Sequence, residues 1–105
     1  MPETRIVLTT AGSADEARNI AQALVERRLA ACVNIVPQIE SFYRWKGKVE
    51  RATEWLLVIK TQAGAFVRLR DAIKELHSYE LPECLLLEVD AGGQEYLDWI
   101  AANVE

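Results

Sequence analysis

Histidine and methionine each occur once in this chain of 105 residues, and cysteine occurs twice. A single histidine, His77, gives no basis for a Ser-His-Asp set. The two cysteines, Cys32 and Cys84, lie far apart in sequence. They form no CxxC pair and no zinc-type Cys/His spacing, which excludes a disulfide scaffold. An excess of positive charge is also missing. Lys plus Arg is 12, Asp plus Glu is 16 and the net charge is −4, so the electrostatic term for a nucleic-acid backbone is lacking. No glycine-rich phosphate loop of the GxGxxG or P-loop kind occurs. The longest purely apolar run is Trp55-Leu56-Leu57-Val58-Ile59, far short of the about 20 residues of a membrane span. The start, Met1-Pro2-Glu3-Thr4-Arg5, lacks a basic segment followed by an apolar one, so no signal peptide is expected. With so few cysteines the expected compartment is reducing and cytoplasmic.

What is present is a globular composition, with 50% hydrophobic and 27% charged residues. Residues 1–105 make a single domain. The β-branched run Arg5 to Thr10 predicts a first strand. Ser13-Ala14-Asp15-Glu16 has the form of a capping box. Apolar residues at helical spacing then predict a helix over 14–28, with Arg27 and Arg28 at its negative end. From Leu29 to Trp45 the chain is extended in character. Simple alternation places Val33, Ile35, Pro37, Ile39, Ser41, Tyr43 and Trp45 on one face. Lys46-Gly47-Lys48 is a turn, and Val49 to Thr61 is the returning strand. Phe66, Leu69, Ile73 and Leu76 predict a second helix over 64–77. A fourth strand over 84–89, a turn at Gly92-Gly93 and a third helix over 94–103 complete the chain.

This order is β-α-β-β-α-β with an added C-terminal helix, an α+β fold of ferredoxin-like type. Right-handed crossovers give a sheet ordered 2-3-1-4 with the first two helices on one face. Cys32 and Cys84 then fall on opposite edges, about 14 Å apart, too far for an intrachain bridge. A 17-residue second strand would reach about 55 Å, against a diameter of about 33 Å for a compact domain this size. The hairpin therefore bends at Pro37, a residue of edges and bulges, or projects past its core. Strand three is apolar on both faces at its base, while helices cover only one. Both features point to an oligomer.

The candidate chemistry is sparse. His77 is either a residue interacting with a helix C-terminus or a metal ligand. Cys32 is either a small buried hydrophobe or a soft ligand for monovalent copper. No positive cluster or third orienting residue near Cys32 supports nucleophilic chemistry. Tyr43, Arg44, Trp45, Lys46 and Lys48 gather rings and positive charge at the hairpin tip, without the aromatic pattern of RNA-binding βαββαβ modules.

Five blocks together resemble a known family. They are Leu29-Ala30-Ala31-Cys32-Val33-Asn34-Ile35, Ser41-Phe42-Tyr43-Arg44-Trp45-Lys46-Gly47-Lys48, Lys60-Thr61, His77-Ser78-Tyr79-Glu80-Leu81-Pro82-Glu83 and Tyr96-Leu97-Asp98-Trp99-Ile100. In that order they are similar to the signature blocks of the CutA divalent-cation-tolerance family. The resemblance runs from Ile6 to about Asn103. It implies a ferredoxin-like subunit in a homotrimer like that of the PII signalling proteins, without enzymatic activity. It implies no obligatory cofactor, and a link to copper or another divalent cation. By position it makes His77, Cys32 and Glu83 metal candidates, with Trp45, Lys60 and Tyr79 lining an inter-subunit cleft. Thr9 stands where some members have cysteine, and Leu76-His77 where some have paired histidines. The expected partners are two further copies of the chain and a metal ion or small effector, with no nucleic acid or membrane. The rival expectation is a PII-like signalling module that binds a nucleotide or a protein.

Overall fold

The computed structural model describes residues 3–105; Met1 and Pro2, part of the N-terminal segment read above, lie outside them. The elements are β1 (Thr4–Ala11), α1 (Ala14–Glu26), β2 (Cys32–Trp45), β3 (Lys48–Gln62), α2 (Phe66–Leu76), β4 (Leu85–Glu88) and α3 (Gln94–Ala102). The turn Ala63–Ala65 leads into α2 as one turn of 3-10 helix. The strands form one antiparallel sheet ordered β2-β3-β1-β4, as the crossover argument predicts.

One face of the sheet carries the core. Val7 on β1 and Leu57 and Ile59 on β3 pack against Ile20 and Leu24 of α1 and Leu69 and Ile73 of α2. Each of these side chains is 0–1% exposed, and burial of each contributes about 1.5–3 kcal/mol. Helix α1 begins at Ser13, whose side chain accepts the Glu16 amide at 3.1 Å. It ends earlier than periodicity predicts. Arg28 takes φ 59°, the left-handed conformation that stops a helix. Its guanidinium then reaches the Ala102 carbonyl at 3.0 Å and Glu105 at 3.4 Å.

The other face is only partly covered. Strand alternation turns Ile6, Leu8, Leu56, Val58 and Lys60 to it, and β4 adds Leu85 and Leu87. Leu85 is 57% exposed and Leu87 45%. Helix α3 packs against β3 and β1, and its Tyr96 lies beside Cys32.

The β2–β3 hairpin projects. Its distal half, from Lys48 to Glu54 on β3, has no β1 partner, because β1 pairs only with Trp55 to Gln62. The molecule is accordingly 44 × 26 × 23 Å. The turn at the tip is tight, since Lys46 and Gly47 take φ 50° and 82° between the paired Trp45 and Lys48. Two positive φ values in a two-residue loop match the twist of the strands.

Alternation along β2 does not run unbroken. Val36 pairs with Leu56 and Ile39 with Glu54, so Pro37 and Gln38 together face Trp55 alone. This is a β-bulge, with Gln38 at φ 54°. The extra residue reverses the facing of everything beyond it. Val33 and Ile35 point to the core side, whereas Ile39, Ser41, Tyr43 and Trp45 point to the opposite face. The single apolar stripe expected from the sequence is thus two half-stripes on two faces.

Both ends of the described chain lie at the pole opposite the hairpin tip. The Glu3 carbonyl accepts the Ala63 amide at 2.7 Å, and the Glu105 amide donates to Arg28 at 2.9 Å.

Candidate functional site

Beyond α2 the chain turns back over the end of β1. His77 is the first residue past the helix, with an extended backbone (φ −88°, ψ 142°). Its side chain is fully buried. Nε2–H donates to the Thr10 carbonyl at 2.5 Å, and Nδ1 lies 3.1 Å from the Tyr79 amide nitrogen. Glu16 closes this knot. One of its oxygens lies 3.0 Å from Nδ1, and its carboxylate accepts the Ser78 hydroxyl at 2.7 Å and the Ser78 amide at 3.3 Å. The expected capping box is therefore half made. Ser13 caps the helix, while the Glu16 side chain turns to the 77–78 segment.

This knot fixes the loop that follows. Tyr79 stacks at an angle on His77, with ring centroids 4.5 Å apart. Its hydroxyl lies 3.0 Å from where a Cβ on Gly12 would sit, so a side chain there would press on the ring. The same hydroxyl donates to Glu54 Oε2 at 2.7 Å. Burial, and then the hydrogen bond and charge of Glu54, push the Tyr79 hydroxyl far above the ordinary tyrosine range. Glu83, further along the loop, is also held above the usual carboxylate range, first by burial and then by the charge of Glu54.

Between this loop and the distal hairpin lies an open cleft of about 390 Å³. Three rings line it, those of Tyr43, Trp45 and Tyr79, and so do three carboxylates, those of Glu54, Glu80 and Glu83. Thr10, Leu81 and Arg44 complete the wall. The bulge makes this possible, because it turns Tyr43 and Trp45 onto the side where the loop lies.

The six candidates from the sequence divide into groups. Trp45, Tyr79 and Glu83 meet in the cleft. His77 sits behind Tyr79 with both ring nitrogens engaged inside the chain, so its role there is to hold the loop. Cys32 and Lys60 face each other across β2 and β3. Lys60 Nζ is 4.0 Å from Cys32 Sγ and donates to Asn34 Oδ1. Lys60 pairs with Ile6, whereas the cleft residue Thr10 is four residues further along β1, a distance of about 13 Å. The structure does not bring His77, Cys32 and Glu83 together. Among the described residues, no group of three or more His, Cys, Asp or Glu side chains could hold a metal ion.

Glu54 and Glu16 are the residues that sequence reasoning missed. Glu54 ends the polar stretch Glu50-Arg51-Ala52-Thr53-Glu54 of the hairpin, yet it is 7% exposed. Its sequence signal is weak: it directly precedes the doubly apolar run of β3. Glu16 had a local explanation as a helix-cap residue, which concealed its long-range one.

Residues 5–103 match the pattern of the CutA1 divalent ion tolerance protein family. The chain belongs to that family. CutA1 relatives are similar over nearly its whole length. The divalent-cation tolerance protein CutA of Thermus thermophilus is 51% identical over 98 residues, 93% of this chain and 95% of that protein. A solved structure of the Thermus protein superimposes with a TM-score of 0.95 at 49% identity, covering 97% of this chain and 99% of that one. The CutA structure from Archaeoglobus fulgidus, described as periplasmic, gives a TM-score of 0.94 at 44% identity, covering 97% and 99% of the two chains. Human Protein CutA is 49% identical over 89 residues, 85% of this chain but only 50% of the human one. These CutA names describe tolerance or carry the family name alone; they state no enzymatic reaction. The α+β fold with its four-stranded sheet and three helices is that of the CutA structures. No helix among the described residues is long and apolar enough to cross a membrane.

Proposed function

We propose that the chain acts in divalent-cation tolerance as a non-enzymatic homotrimer that binds a divalent cation, copper included, or a small effector in clefts between its subunits. The observation that carries this is the carboxylate-lined cleft, where Glu83 is pushed toward its neutral form by burial and by Glu54. Crowded carboxylates of this kind are relieved by a bound positive charge. Glu54 and Glu83 are the cation-facing oxygens, and the remaining ligands come from a facing subunit. The half-covered apolar face and the projecting hairpin support assembly. A nucleotide as effector is disfavoured, since the same carboxylates repel its phosphates.

Calorimetric titration of copper and manganese into native and Glu83→Gln protein tests this reading. The expected result is a loss of about tenfold or more in affinity for the variant, about 1.4 kcal/mol. Equal affinities would remove Glu83 from the site. His77→Ala serves as the companion variant: with His77 as a loop anchor, it lowers the melting temperature and weakens both metals alike, copper no more than manganese.

A further inference from the structure

We infer that the cleft between the hairpin and the 78–83 loop takes an organic cation, an ammonium or guanidinium group carried on an apolar stem. This rests on the reading of the cleft as a ligand site and names the class of effector.

Three features of the cleft converge on that class. Its volume of about 390 Å³ falls within the range of about 300–1,000 Å³ typical of small-molecule pockets and is far more than a bare ion needs. Its rings, Tyr43, Trp45 and Tyr79, attract a cation through their negative faces and shelter an apolar stem. Its charge is negative, with three carboxylates against the single guanidinium of Arg44.

Glu54 adds an independent pointer. It is 7% exposed and lines the cleft. Tyr79 satisfies only its Oε2, and no described residue donates to Oε1. That oxygen is not sealed off, since Thr9 Oγ1 is the buried side-chain atom left without a partner among the described residues. It is open to the cleft, where an N–H group of a cationic ligand can make a charge-assisted hydrogen bond. An ammonium or guanidinium brings such N–H groups together with the positive charge. A bare metal ion, by contrast, finds no group of three ligating side chains among the described residues.

The test is calorimetry on the full chain with two probes titrated separately, arginine methyl ester and manganese chloride. Arginine methyl ester is expected to bind with a dissociation constant below about 1 mM. Trp45→Leu and Glu83→Gln should each weaken it by about tenfold or more. Tyr43→Leu is the second ring variant, used if Trp45→Leu lowers the melting temperature. Manganese binding without binding of the ester overturns this inference and leaves the metal reading standing. Binding of the ester that none of the variants weakens overturns it too. Binding of the ester alone supports the inference and removes the metal reading; silence from both probes removes both.

Discussion

Thr9 is fully buried on the core side of β1, opposite Leu57. Its hydroxyl has no hydrogen-bond partner among the described residues. Such a group costs about 1–3 kcal/mol of desolvation without return. Thr9→Val keeps the branched shape and removes the orphaned oxygen. It is expected to raise stability by about 1 kcal/mol in urea unfolding at an unchanged m-value; a loss of stability would mean that the hydroxyl is bonded in solution. The Thr9 side chain is enclosed between sheet and helices and does not line the cleft. His77 shows the limit of reading one residue at a time. A lone histidine after a helix offers two readings, and the choice depends on Thr10 and Glu16, more than 60 positions upstream. Nothing local in the sequence carries that information.

At the scale of elements, the order of strands and helices and the sheet order 2-3-1-4 were legible. They depend on hydrophobic period, turn residues and the handedness of crossovers, which are local or general rules. The facing of the hairpin was not. Pro37 announces an edge or a bulge, and only the register of β3 against β2 decides between them. The choice reverses the positions of Tyr43 and Trp45, and so decides whether the cleft has a wall. Deleting Gln38 tests this directly. With one residue facing Trp55, alternation becomes continuous and both rings turn to the other side of the hairpin. The expected variant keeps its sheet by far-ultraviolet circular dichroism. It should lose about tenfold or more in affinity for arginine methyl ester. An unchanged affinity would show that the bulge does not place the rings.

The whole molecule is drawn out along the hairpin. Its radius of gyration is 14.2 Å, against about 13 Å for a compact domain of 100 residues. A single chain leaves Phe42 66% exposed, Val49 67% and Leu81 71%, besides the leucines of β4. So many large apolar side chains on an 11.8 kDa chain fit a subunit better than a monomer. Light scattering after size exclusion is expected to give three times the 11.8 kDa chain mass at micromolar concentration. A mass of one chain would leave the cleft to be completed by one chain's residues alone.

The two ends of the described residues, Glu3 and Glu105, share one pole, and the cleft lies toward the other. A dye attached at position 3 or 105 therefore sits far from Trp45 and Tyr79. Surface-tethered binding measurements can use either attachment point without obstructing ligand entry. Two dyes, one at an end and one in the Lys46-Gly47 turn, would span the 44 Å axis and act as a ruler for any bending of the hairpin when the cleft fills.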